Sequence, residues 1–277
     1  MAKPGKYVNL EIKQIDRDGF HLDNDGETIL LPSIETPAGK KEGEQIEVFL
    51  FVNAKGETQA TTEKPLILLN EVQPLIAVKN TEKGAFFDMG IQRDLFVPPT
   101  EQKIPIEAGK RYLVVMKYDR QEHKLYGATR LKPYFRDERL KFEKNEKVNI
   151  LIVKKIEEGF EVIINMKVFG FLHDQDATIP NMLVGQRYNA YIKEKDRDRY
   201  NVSLQKDDPE QLEKAAEKIY EFVVNNKGYV RLNDNTEPEE IKLRLHMSKK
   251  LFKKAIGKLY KENRIVITKR GIKLSKE

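Results

Sequence analysis

The chain has 277 residues, 39% of them hydrophobic, with 50 Lys+Arg against 44 Asp+Glu and a formal net charge of +6. That length exceeds one ordinary core and predicts several domains, while the absence of cysteine excludes disulfide staples, thiolate zinc sites and a cysteine nucleophile. No apolar run approaches the ~20 residues that cross a bilayer, and Met1-Ala2-Lys3-Pro4-Gly5 lacks the apolar core of a secretory signal, so the expectation is a soluble cytoplasmic protein with no membrane partner.

In chain order the first elements are strands, and they recur. Val8, Leu10 and Ile12 alternate, Gly19-Phe20-His21-Leu22 follows, then Ile29-Leu30-Leu31-Pro32, and Gly43 precedes the long run Ile46–Val52. A second copy reads Gly84-Ala85-Phe86-Phe87-Asp88-Met89-Gly90, Leu95-Phe96-Val97-Pro98, and Gly109 before Tyr112–Met116. The third alternates Val148, Ile150 and Ile152, then has Gly159-Phe160-Glu161-Val162, Gly170-Phe171-Leu172-His173, and Gly185 before Tyr188, Ala190 and Ile192. The paired glycines lie 24, 25 and 26 residues apart, a regularity that unrelated strand pairs have no reason to share. Each copy supplies about five short strands, the size and strand count of an OB-type barrel. The expected division is barrels at 1–64, 65–130 and 147–208, a charged connector at 131–146, and a last domain at 209–277.

At these residues the copies resemble the S1 class of RNA-binding OB fold. The third copy fits its second half through Gly170-Phe171-Leu172-His173 and Asp196-Arg197-Asp198-Arg199 running into Val202-Ser203-Leu204; the second fits its first half through Gly84–Asp88. The first departs most, with His21 for an aromatic and Pro32 for the histidine. Single-stranded RNA needs stacking surfaces for bases and cations for phosphates. The candidates are Phe86, Phe96, Phe160, Phe171 and His173 for stacking and Lys193, Lys195, Arg197 and Arg199 for phosphates. For any one Phe a core position competes with a platform position, because alternate strand residues face opposite sides.

After Asp207-Asp208-Pro209 the apolar period changes from two to about 3.6. Leu212, Ala215, Ile219 and Val223 predict one helix; Thr236 as cap with Pro238 and Glu239-Glu240 predicts a second to about Leu245; Ser248 caps a third to Asn263; and 264–274 predicts a β-hairpin. Three helices and a hairpin make a winged helix. Its third helix carries Lys249, Lys250, Lys253, Lys254, Lys258 and Lys261 against Glu262, so the first five join the RNA-binding candidates. Segment charges agree: −4 over 1–65, +2 over 66–130, +1 over 131–209 and +7 over 210–277.

Three S1-like copies followed by a winged helix, with Arg93-Asp94-Leu95-Phe96-Val97-Pro98 and Glu101-Gln102 in the second copy, resemble the conserved virulence factor B family of bacterial proteins. That resemblance implies a mainly β, multidomain RNA-binding protein that regulates genes, virulence genes included, after transcription, without catalysis. The residues independently offer little to an enzyme. His21, His123, His173 and His246 form no metal-ligand spacing, Asp23–Glu27 lacks the ends of a calcium loop, and no phosphate loop is present. No catalytic, metal or cofactor site is expected. Two alternatives stay open: a winged-helix DNA-binding transcription factor, and an adaptor on a ribosome or polymerase.

Overall fold

Strand alternation decides the first two-thirds of the chain. In β1 (Tyr7–Ile15) Leu10 and Ile12 are buried while Lys13 is exposed, and β2 (Gly19–Asn24), β3 (Glu27–Pro32), β4 (Gln45–Val52) and β5 (Thr58–Thr61) complete a sheet of order β3-β2-β1-β4-β5. The second copy folds into β6 (Val72–Thr81), β7 (Gly84–Phe87), β8 (Leu95–Val97), β9 (Arg111–Asp119) and β10 (Lys124–Ala128), whose order β10-β9-β6-β7-β8 is the same one read from the other end. The third gives β11 (Lys147–Ile156), β12 (Gly159–Ile164), β13 (Val168–His173), β14 (Arg187–Asp196) and β15 (Arg199–Ser203), closed into a barrel. The computed structural model describes residues 2–53, 55–137, 139–177, 179–196, 199–206 and 208–275, in two compact units, Met1–Gln205 and Lys206–Glu277.

The repeat is exact at the level of hydrogen bonds. The amides of Gly43, Gly109 and Gly185 donate to the carbonyls of Ile12, Ala77 and Ile152 at 2.8, 2.7 and 2.8 Å. Each acceptor residue is also where the first strand of its copy bulges, since the register slips at Ile12/Gln14, Ala77/Lys79 and Ile152/Lys154. Gly19, Gly84 and Gly159 open the second strand of each copy at φ +141°, +143° and +153°. A Cβ there would lie 2.0, 2.7 and 2.2 Å from the carbonyl oxygens of Leu31, Val97 and Leu172, so these positions need glycine.

The barrels differ in closure. Only the third sheet closes by hydrogen bonding among the described residues, through a parallel ladder in which Gly170, Phe171 and Leu172 face Tyr200, Asn201 and Val202. Gly170 explains it: a Cβ there would stand 2.8 Å from the Tyr200 carbonyl and 2.5 Å from Ile164 Cδ1. The equivalent places in the other copies, opposite Leu22 and Phe87, hold Ile29 and Leu95, both core residues.

Each copy has its own core, but the second and third also share one. Val72, Val115 and Ala128 pack with Leu151 and Ile163, and Leu131 and Phe135 join them from either side of the 3₁₀ turn Lys132–Tyr134. Arg187 Nη2 donates to the Val72 carbonyl at 3.0 Å. The charged segment 131–146 therefore begins inside a core. A cut at 130/131 would expose it, whereas 205/206 separates the two compact units. The apolar stretch before β6 also packs, with Ile67 in the second core and the Leu69 amide bonded to the Gly5 carbonyl.

The second unit is built from α1 (Pro209–Asn225), β16 (Tyr229–Val230), α2 (Pro238–Leu245), α3 (Lys249–Lys261), β17 (Ile265–Thr268) and β18 (Gly271–Leu274), the strands in the order β16-β18-β17. Asp208 caps α1 by accepting from the Glu210 and Gln211 amides, and Ser248 caps α3 by accepting from Leu251. Thr236 does not cap α2: its hydroxyl accepts from the Asn233 amide at 2.8 Å, and the cap position falls to Glu237. Arg264 clamps the hairpin to α1, its Nη2 donating to Glu217 Oε2 at 3.0 Å and its guanidinium lying 4.0 Å from the Tyr220 ring. The same guanidinium holds the Glu217 carboxyl below its ordinary pKa.

Gly170→Val is expected to destabilise the first unit by about 1–3 kcal/mol through overpacking against Ile164 and Tyr200. Urea unfolding followed separately for the two units should show the loss in the first and an unchanged transition in the second. An unchanged midpoint for both would show that the close approach of β13 and β15 does not depend on this glycine.

Candidate nucleic-acid interface

On the third barrel, alternation turns Leu172 into the core and Phe171 to the outer face. There Phe171 stands across from Glu161 in β12 and Asn201 in β15. Two side chains cover its ring. The Arg199 guanidinium lies 4.5 Å from the centroid, and the His173 imidazole meets it edge-on at 4.5 Å and 88°. Phe171 is consequently 1% exposed. It is not a bare platform: the surface above the ring is the exposed Arg199 guanidinium, with half-buried His173 beside it. A guanidinium plane stacks on a base as an aromatic ring does, and it carries the cation too.

Other expected residues of this barrel are placed differently. Phe160 is 8% exposed and belongs to the barrel core, because β12 turns it inward beside Val162 and Ile164, with Lys155 Nζ 4.4 Å above its ring. Its ring is packed in the core rather than offered as an open stacking face. Lys193 is held by Asp176 at 2.9 Å, a carboxylate only 2% exposed, and this pair is structural. Lys195 is exposed, 5.3 Å from the Tyr200 ring. Arg197 lies outside the described residues. Strand reading missed Asn201: its amide oxygen is buried and accepts no hydrogen bond among the described residues, beside the Phe171 position. Such an acceptor is rare in a folded chain. The signal for it, the parallel pairing of β13 with β15, was not readable from strand patterns.

The corresponding outer pair in the second sheet is Phe86 and Phe96, in register, half-buried, with ring centroids 5.2 Å apart. They open on a cleft of about 560 Å³. Its charged lining is Asp94, Glu101, Asp119 and Glu122 against Arg93 and Lys124, a mouth that repels phosphates. Burial, together with neighbouring Asp88 and against the pull of Arg93, raises the Asp94 pKa. In the first sheet the outer pair is His21 and Leu30, and His21 Nε2 is engaged by Asp16 at 2.7 Å. The stacking chemistry therefore weakens from third copy to first.

In the second unit, the apolar stripe of α3 buries Phe252, Ala255, Ile256 and Leu259, which leaves Lys253 and Lys254 exposed and Lys249 and Lys250 half-buried at the helix N-terminal half. Lys258 does not join them. Its Nζ bonds Glu213 of α1 at 2.7 Å and Glu262 at 2.8 Å, so its charge is spent inside the domain.

Comparison with known proteins shows what this arrangement is similar to. A family model described as an S1 domain matches residues 4–63, and one described as a CvfB-like winged helix domain matches residues 217–274. "Conserved virulence factor B" of Staphylococcus aureus is 27% identical over 246 residues, covering 85% of this chain and 81% of that protein. The chain is similar to the conserved virulence factor B proteins over most of its length. "Uncharacterized protein YitL" of Bacillus subtilis is 26% identical over 271 residues, 95% of this chain and 91% of its own. A solved multidomain protein with nucleic acid binding domains from Streptococcus pneumoniae is similar at 20% identity and TM-score 0.41, over 98% of each chain. The S1 match falls on the first copy, the one whose motifs depart most from that pattern. No helix is long and apolar enough to cross a membrane among the described residues.

Arg199→Lys keeps the charge and removes the plane. Its affinity for single-stranded RNA is expected to fall by about 1–3 kcal/mol, the value of one stacked base, with the salt slope unchanged. Fluorescence anisotropy at four salt concentrations measures both. Unchanged affinity at every salt concentration would make Arg199 a phosphate contact only, since lysine supplies the same charge.

Proposed function

We propose that this protein is a non-enzymatic, cytoplasmic RNA-binding regulator that acts after transcription, gripping single-stranded RNA through the third barrel and the winged helix. The observation that carries this reading is the Arg199 guanidinium over the Phe171 ring with His173 at its edge, since it places a planar cation beside two rings on a closed barrel. The S1 and winged-helix matches support nucleic-acid binding as such. Lysine chemistry favours RNA over a DNA operator. The accessible α3 charges are lysines, which neutralise phosphates but read base edges poorly, because bidentate readout needs a planar fork or an amide.

The test is competition between labelled single-stranded RNA and duplex DNA, with wild type and with Lys249, Lys250, Lys253 and Lys254 all changed to Gln. The variant is expected to lose affinity equally for all RNA sequences and to flatten the salt slope by up to about 2.8 units, at ~0.7 per cation for a single strand. Residual binding through Arg199 and Phe171 should remain. A wild type that selects one duplex over random DNA by about a thousandfold, and binds RNA no better than random DNA, is an operator-binding factor instead.

A further inference from the structure

We propose that the cleft between the second and third sheets is a second nucleotide site, which continues the single-strand path from the outer face of the third barrel. The cleft holds about 420 Å³, within the range of small-molecule sites. Its floor is the apolar roof of the shared core, including buried Leu131, with the half-buried rings of Tyr112 and Phe169 on its walls. Four cations line it, Lys103, Arg111, Arg130 and Lys132, against one carboxylate, Glu161. Glu161 pairs with Lys132 at 3.5 Å, and Arg130 Nη1 is anchored on the Thr100 carbonyl at 3.1 Å. Exposed Lys103 and Arg111 make no ion pair among the described residues. An apolar, ring-lined floor under a cationic rim is the complement of a base between phosphates, and it inverts the acidic mouth in front of Phe86 and Phe96.

Continuity selects a polymer over a free nucleotide. Glu161, which lines this cleft, stands directly opposite Phe171 in the β12–β13 ladder, so the cleft adjoins the Arg199 face. A strand that stacks on Arg199 has its next nucleotides at the cleft. Sequence motifs did not reach this site, because its cations come from a loop, the start of β9 and the connector, which only the shared core brings together.

This inference rests on the RNA reading, and the experiment separates the two. Full-length wild type and the Lys103→Gln, Arg111→Gln variant are titrated with a 4-mer and a 12-mer of single-stranded RNA. For the 12-mer the variant should flatten the salt slope by about 1.4 units, which at 0.1 M salt is a roughly 25-fold loss if affinity at 1 M is unchanged. The 4-mer, filling only the Arg199 face, should bind both proteins alike. A 12-mer carrying 5-bromouridine should crosslink to Tyr112 or Phe169, a readout that a general loss of charge does not supply. Equal 12-mer binding by a folded variant overturns the cleft while leaving the RNA reading intact. An acidic, aromatic peptide that binds wild type but not the variant, with the 12-mer bound equally, also overturns it and assigns the cleft to a protein partner. A wild type that binds no single strand overturns both.

Discussion

A backbone carbonyl occupies the space that a Cβ would need at Gly19, Gly84 and Gly159, and the first unit depends on that contact. It lets the second strand of each copy begin hard against the end of the third. With the bulge at Ile12, Ala77 and Ile152 tied to the turn glycine 31–33 residues on, it fixes where the strands coil. Gly271 uses the same device in the winged helix, where a Cβ would lie 2.1 Å from the Val230 carbonyl. Backbone closeness of this kind is indifferent to surface residues. Three copies therefore keep one topology while their outer faces diverge from a ring pair to an arginine-capped ring to a histidine held by its own turn.

That divergence sets a gradient in what each copy can bind. Stacking without nearby cations gains base contacts but leaves phosphates unscreened, and cations without a plane attract any polyanion. The second sheet has two rings in an acidic mouth; the third has one ring, one guanidinium and lysines at its margin; α3 has lysines with no exposed base-reading fork. The three surfaces are complementary in kind rather than redundant. Charge counts by segment blur this, because Lys193 and Lys258 contribute to the total yet are consumed by Asp176, Glu213 and Glu262.

Much of the fold was legible because its signals are local. Alternation located the strands, glycine spacing located the repeat, and the change of apolar period located α1 to within a residue or two at each end. What failed needed a partner from elsewhere in the chain. Phe160 and Phe171 look alike in sequence, and only the pairing of β12 with β11 and β13 shows one inside and the other out. Thr236 is a good cap residue that a preceding asparagine claims first. The connector at 131–146 is highly charged in sequence, yet Leu131 and Phe135 anchor its start in the core shared by two barrels.

That shared core has a mechanical consequence for the proposed path. Beads on flexible linkers would pay an ordering cost to line up their faces each time a strand bound, whereas surfaces fixed by a common core are aligned beforehand. Val72, Val115 and Ala128 against Leu151 and Ile163 supply such a core between the second and third sheets, and the Arg187 bond to the Val72 carbonyl fixes their register. The cationic cleft lies over this joint rather than on either barrel alone. Rigidity is thus placed where a strand crossing from one barrel to the next would otherwise lose the most entropy, and the interface can gain affinity from modest individual contacts.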